Sequence, residues 1–200
     1  MTKITREEWL QKAMHKIYNE VFKPKGIKVD IKNIQVACSF VIGSRNSQYK
    51  THGDCWTKES STGGFNEIHI VPTVDDPITV LDILTHEMVH ASDNCGSGHG
   101  KIFKQRCLLI GMNGSKSMKT ACAGEPLLLK FDAMVKELGE YPHKAMDIEG
   151  RKKQTTRNKK IYCRSCGWSF RTSGSNIAKM FEHDLTPDCL ACSGGTLREV

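Results

Sequence analysis

The 200-residue chain lacks a long apolar run, and no stretch approaches the roughly 18 apolar residues that a membrane span requires. Its first residues, MTKITREEWLQK, also lack the apolar segment of a secretory signal peptide. Hydrophobic residues make up only 38% of the composition, which still allows one domain of ordinary size plus a small appendage. We therefore expect a cytoplasmic protein with no membrane partner.

Acidic residues are missing between Glu149 and Glu182, a segment that holds nine of the 29 basic residues. The formal charge of +7 therefore divides into +9 here and −2 elsewhere, where 20 basic residues meet all 22 acidic ones. Such a block indicates an anionic partner, and nucleic acid is the first candidate. The alternative is a solvated linker, which a charge run alone favours. The candidate nucleic-acid contacts are Arg151, Lys152, Lys153, Arg157, Lys159, Lys160, Trp168 and Arg171.

A second feature is the motif H-E-x-x-H formed by His86, Glu87 and His90. On a helix, two histidines four residues apart return to the same face and can both reach one cation, with the glutamate beside them. Asp76 as N-cap, Pro77 at the first turn and a wide apolar face predict that helix. This arrangement predicts a catalytic Zn²⁺ site in which Glu87 is the general base.

A catalytic zinc usually has three protein ligands, and His99 is the candidate for the third, because the glycine-rich segment after His90 allows it to turn back. The metzincin pattern is excluded, since Asp93 and Gly96 stand where that pattern needs Gly and His. Glu125, near a later helix start, and Cys95 remain as alternative ligands.

For the other histidines and cysteines, a structural role is the preferred interpretation. His52, Cys55 and His69 lie in or beside predicted strands, where isolated His and Cys side chains are more often structural than metal-binding. His69 and its strand are an alternative lining for a substrate cleft, because zinc proteases commonly bind an extended peptide along a strand edge.

Periodicity predicts the remaining elements of the first 140 residues. A capping box of Thr5 and Glu8 begins a helix that ends at Pro24 and Gly26. Two further helices are predicted at about 100–109 and at 126–138. Strands are predicted at 27–31 and 34–42, and a hairpin joins 52–57 to 66–71.

Four of the nine cysteines form two C-x2-C pairs with 22 residues between them. Four thiolates complete a tetrahedral structural Zn²⁺ site, which stabilises a module of about 40 residues that is too small for a large core. Without a signal peptide, metal binding is favoured over disulfides. Trp168 either stacks on unpaired bases or covers the metal knuckles. The predicted ligands are Cys163, Cys166, Cys189 and Cys192.

Together these motifs resemble the SprT-like zinc metalloproteases, which include the Spartan proteases, and most closely the small SprT-like proteins of phages and bacteria. The matching segments are HEMVHA (86–91), GHG-x-x-F (98–103), YPH (141–143), GRKKQ-x-TR (150–157) and the four-cysteine ribbon. The resemblance implies His86, His90 and His99 as zinc ligands and Glu87 as catalytic base. It also offers Tyr141 and His143 as oxyanion or substrate contacts, although a structural role for YPH is an equal alternative.

The resemblance implies an α+β fold with a zincin-like protease core of helices on a small, mostly antiparallel sheet, followed by the zinc ribbon. The expected division is 1–142 protease domain, 143–160 basic linker and 161–200 ribbon. The expected function is zinc-dependent endopeptidase action on DNA or on DNA-associated proteins, in the cytoplasm near the nucleoid or in a phage host. The expected partners are a protein substrate and DNA, including single-stranded DNA. The alternative is a non-enzymatic nucleic-acid- or protein-binding protein in which the H-E-x-x-H metal is structural.

Overall fold

A computed structural model of the chain describes residues 4–41, 52–147, 158–182 and 187–199. The chain divides into two compact units, Met1–Ile148 and Glu149–Val200. Within the described residues, no helix combines the length and apolar character needed to cross a bilayer.

The first unit opens with helix α1, Arg6–Ile17, and the predicted capping box is confirmed. The Thr5 hydroxyl accepts from the Glu8 backbone N–H at 3.2 Å, and the Glu8 carboxylate accepts from the Thr5 N–H at 2.7 Å. A π turn, Tyr18–Phe22, and a 3₁₀ turn, Lys23–Lys25, carry the chain to Gly26, whose φ of 69° ends the helical segment.

Three strands form the main sheet: β1 (Ile34–Cys38), β2 (Gly53–Trp56) and β3 (Asn66–Ile70), in the order β1-β3-β2. Strands β2 and β3 pair antiparallel, which confirms the hairpin, whereas β1 pairs parallel to β3. The main sheet is therefore mixed, which differs from the mostly antiparallel sheet that we expected.

The strand predicted at 27–31 is wrong, because the chain turns there. Asn33 donates both its backbone N–H and its side-chain N–H to Asp30, and Ile31–Asn33 form a 3₁₀ turn. Ile27 and Val29 are buried in the core without a strand partner in the described sheet.

Helix α2, Pro77–Ala91, contacts β2, β3 and the helices around it. It begins at Asp76, whose side chain accepts from the Thr79 backbone N–H at 2.7 Å, as its N-cap role predicts. Helices α3 (Lys101–Ile110) and α4 (Glu125–Leu138) follow, separated by the short antiparallel pair β4 (Met112–Asn113) and β5 (Cys122–Ala123). The largest fully buried core side chains include Trp9, Phe22, Ile68, Leu81, Met88, Phe103 and Phe131.

The second unit contains an antiparallel sheet of β6 (Lys159–Cys163), β7 (Ser169–Thr172) and β8 (Leu197–Glu199), in the order β7-β6-β8. Helix α5, Gly174–Met180, which the sequence did not predict, lies between β7 and β8. The small core of the second unit consists of Ile161, Cys163, Ile177, Cys189 and Leu197. The two units together confirm the α+β class.

Candidate metal centres

Three histidines meet at the C-terminal end of α2. His86 and His90 lie one helical turn apart, and the turn segment 92–100 brings His99 to them. The ring centroids are 4.7–5.6 Å apart, and one ring nitrogen of each residue lies within 4.8 Å of the others. This group could hold a metal ion.

The turn that positions His99 is built by specific hydrogen bonds. The Cys95 N–H donates to the His90 carbonyl at 2.8 Å, and Asn94 adopts a φ of 56°, a left-handed conformation that Asn tolerates. The Asn94 side-chain oxygen accepts from the Lys58 N–H at 2.8 Å and from the Asn66 amide at 2.9 Å. These bonds attach the turn to the β2–β3 connection.

Phe103, on the first turn of α3, forms an apolar wall against all three imidazoles. Its ring stacks on His90 at 4.2 Å and meets the edges of His86 and His99 at 5.0 Å. Phe103 is fully buried, so it restricts the orientations of the three rings. In the sequence, Phe103 is noted only as the last residue of the GHG-x-x-F segment (98–103), with no role at the histidines.

The environment keeps the three imidazoles neutral. Burial lowers the pKa of His86 to about 4 and that of His90 to about 3, with further lowering from neighbouring histidines. Burial also lowers the pKa of His99. A hydrogen bond to the backbone of Ala121 partly opposes the shift at His86. Neutral imidazole is the form that binds a metal, so the set is ready for coordination near neutral pH.

Glu87 lies beside the histidines and is only 7% exposed. Burial, with smaller contributions from the charges of Asp54 and Cys95, raises its pKa to about 8. Gly53 of β2 packs directly against it: a Cβ on Gly53 would lie 3.0 Å from Glu87 Oε1 and 2.6 Å from Ile83 Cγ2. The absence of a side chain at residue 53 therefore lets the strand approach the carboxyl group.

The alternative ligands lie outside the histidine group. Among the described residues, the sets of three or more possible metal donors are the three histidines and the four cysteines. Glu125 is exposed at the first turn of α4, and His52 is exposed just before β2. Cys55 and Cys95 lie next to each other, with 3.3 Å between their sulfurs.

His69 forms a pair with Asp54, with 2.7 Å between Nδ1 and Oδ1. This hydrogen bond raises the pKa of His69. Alternation along β3 places His69 on the sheet face opposite Ile68 and Ile70, which point into the core next to α2. His69 therefore faces away from the side on which Gly53 meets Glu87.

Tyr141 and His143 anchor the chain after α4. Tyr141 is buried against Trp9, with 5.1 Å between ring centroids, and burial raises its pKa. His143 Nε2 lies 2.9 Å from the Pro72 carbonyl, and Arg6 donates to His143 Nδ1 at 3.4 Å. These contacts favour the structural role for the YPH segment.

Four cysteines of the second unit form the other candidate centre. Their sulfurs lie within 4.8 Å of one another, with 3.8 Å between Cys163 and Cys192 and 3.6 Å between Cys166 and Cys189. Hydrogen bonds from the backbone, first from Cys166, lower the pKa of Cys163 to about 6. Thiolates bind metals, so this group could hold a second ion.

The knuckle around this centre depends on glycine. Gly167 follows the first pair at a φ of 75° and donates to the Cys163 carbonyl at 3.0 Å. At Gly195 a Cβ would lie 2.5 Å from Cys163 Sγ and 2.7 Å from Cys192 Sγ. The sequence did not single out Gly195, because this approach depends on two distant cysteines.

The ribbon sheet carries a cationic outer face. Lys160 and Arg171 are exposed and directly opposite across β6 and β7, and Arg198 of β8 lies opposite Tyr162 on the same face. Lys159 instead pairs with Glu199 at 2.5 Å. Trp168 packs against the small core beside Phe170, which corresponds to the covering role. Arg151, Lys152, Lys153 and Arg157 lie outside the described residues.

Comparison with family models, with curated proteins and with solved structures gives no match for this chain. The zincin-like core, the protease activity and the DNA-related function that the resemblance to SprT-like proteases implies stay predictions, as do the expected domain limits.

Proposed function

We propose that the protein is a zinc-dependent endopeptidase of the SprT-like type that cleaves proteins associated with DNA. The observation that carries the proposal is the convergence of three neutral imidazoles with a buried carboxyl group beside an edge strand. Binding, proton transfer and substrate positioning each have a candidate residue in this arrangement.

The donor set fits zinc. Three imidazoles are a common protein ligand set for catalytic zinc, and the hard cations Mg²⁺ and Ca²⁺ prefer oxygen donors instead. Cys95, the softer donor considered above, has its sulfur next to Cys55. His86, His90 and His99 would therefore hold the ion, and zinc supplies Lewis acidity that acidifies water and polarises a carbonyl.

Glu87 would move the proton. Its carboxylate oxygen accepts a proton from the attacking water and returns it to the nitrogen of the departing amine. Burial raises the pKa of the Glu87 carboxyl group to about 8, which makes its carboxylate a stronger base than that of a solvent-exposed glutamate.

Strand β2 would hold the substrate. In the described sheet it pairs with β3 on one side only, and its helix-facing side contacts α2 at Gly53 and Glu87. An extended peptide could add to this edge through backbone hydrogen bonds, which are independent of side-chain sequence. This geometry favours an endopeptidase of broad specificity.

A cleavage assay on the full-length protein tests the proposal. We expect the zinc-loaded protein to cleave casein, with stimulation by single-stranded DNA. Removing the metal with a chelator should abolish cleavage, and added zinc should restore it. Salt-sensitive DNA binding without cleavage at any zinc concentration would instead support the non-enzymatic alternative.

The DNA-binding part of the proposal rests on the ribbon face. Like charges directly opposite across two strands are destabilising, so the exposed Lys160–Arg171 pair is best explained by an anionic partner. We expect the combined change Lys160→Ala and Arg171→Ala to reduce the slope of log K against log salt by about 1.4–1.8 for single- or double-stranded DNA. A filter-binding or fluorescence titration at several salt concentrations measures this slope.

Lys179→Ala is the matched control, because Lys179 is an exposed cation of the same unit that lies on α5 instead of the sheet face. An unchanged slope in the double variant, or an equal change in Lys179→Ala, would contradict a specific role for the face.

A further inference from the structure

Two cysteines that the metal centres do not use are brought together by the fold. Cys55 lies on β2 and Cys95 in the turn before His99, 40 residues apart in the chain, and their sulfurs are 3.3 Å apart. Cys95 Sγ also lies 3.5 Å from the Cys55 carbonyl oxygen. A disulfide bond is about 2.05 Å long, so an approach of roughly 1 Å would join them.

Hydrogen bonds of neighbouring residues hold the segments that carry Cys55 and Cys95 next to each other. Asn94, the neighbour of Cys95, is hydrogen-bonded to Lys58 and Asn66, which lie at the two ends of the β2–β3 connection. The residues Cys55 and Cys95 are partly exposed, whereas Cys38 and Cys107 are buried. A small oxidant can therefore reach Cys55 and Cys95 more easily than the core cysteines.

We propose that Cys55 and Cys95 form a reversible disulfide when the protein meets a hydroperoxide. One thiol loses its proton to water, and the resulting thiolate attacks the peroxide oxygen, which breaks the O–O bond and forms a sulfenic acid. The departing alkoxide, or hydroxide from hydrogen peroxide, takes up a proton from water and leaves as an alcohol or as water. The second thiol attacks that sulfur, and its proton leaves with the hydroxyl group as water. Two thiols lose two electrons in total, and the hydroperoxide gains them.

The bond would connect two parts of the histidine site. Strand β2 packs on Glu87 through Gly53, and the turn carries His99, so a disulfide would fix the third histidine to the strand beside the carboxyl group. We expect the oxidised protein to have a Tm higher by about 5–15 °C and to lose metal from the histidine site more slowly to a chelator. This inference goes beyond the proposed hydrolytic function and does not depend on it.

The test is disulfide mapping of the full-length, zinc-loaded protein after graded treatment with hydrogen peroxide. We expect mass spectrometry to find a peptide containing residue 55 joined to one containing residue 95, and dithiothreitol to release it. The joined peptide should be absent from Cys55→Ser and Cys95→Ser. It should be unchanged in Cys122→Ser, because Cys122 is exposed and belongs neither to the Cys55–Cys95 pair nor to the four-cysteine centre.

Oxidation of Cys122 without any joined 55–95 peptide would overturn the proposal, because the oxidant would then have reached the protein and spared the pair. Cys55 or Cys95 joined mainly to other cysteines would overturn it equally. Neither readout requires peptidase activity, so this failure is distinct from failure of the proposed function.

Discussion

Replacing Glu87 with glutamine is expected to reduce peptide hydrolysis by at least about 10²–10⁴-fold while the metal content stays unchanged. Gln has nearly the same shape, and it cannot accept a proton at the side-chain position where Glu87 does. Glutamine is uncharged, so it introduces no new buried charge at this 7% exposed position. The three histidines stay in place to bind the ion. Casein cleavage and metal analysis by mass spectrometry measure the two effects.

Glu125→Gln is the matched control, because Glu125 is the glutamate that the sequence offered as an alternative metal ligand. It is exposed at the start of α4 and is not part of the histidine group. We expect its cleavage rate and metal content to match those of the unmodified protein. Retained cleavage in Glu87→Gln would contradict the general-base role, and metal loss in Glu125→Gln would contradict the three-histidine ligand set.

A second large effect is expected for Gly195→Ala, which should release the metal of the four-cysteine centre and unfold the second unit. The new Cβ would lie 2.5 Å from Cys163 Sγ and 2.7 Å from Cys192 Sγ, much closer than van der Waals contact allows. Binding of a structural zinc is worth about 10–16 kcal/mol in small zinc modules, so losing it removes the main source of stability. Metal analysis should show one of two equivalents lost.

Gly174→Ala tests whether any added methyl group in the unit has this effect. Gly174 begins α5, and a Cβ there would meet nothing within 4 Å. We expect this variant to keep both equivalents, and Cys163→Ser to behave like Gly195→Ala. Full metal content in Gly195→Ala would contradict the close approach of the Cys163 and Cys192 sulfurs to residue 195.

Local sequence signals predicted four of the five α-helices in the described part of the chain and missed α5. The capping box of Thr5 and Glu8 and the N-cap Asp76 act within four residues of the helix ends, so they can be read without knowing the fold. The histidine spacing within α2 is local in the same way. The motif therefore predicted that His86 and His90 lie on the same face of α2.

Several features that depend on distant partners were not predicted. Strand β1 pairs parallel to β3, across a connection that includes all of β2, and sequence alternation does not specify that partner. Gly53, Phe103 and Gly195 are important because of atoms from other elements that approach them closely. The strand predicted at 27–31 failed for a local reason, because the Asp30 turn interrupts a segment of alternating apolar residues.

The most direct test of the central claim is an experimental structure of the full-length protein with zinc bound. The account predicts one ion on His86, His90 and His99, with its remaining position open to solvent and within reach of Glu87. It also predicts a second ion enclosed by four cysteine sulfurs. A fourth protein ligand that closes the histidine site, or no zinc at these three histidines, would contradict the proposed catalytic centre.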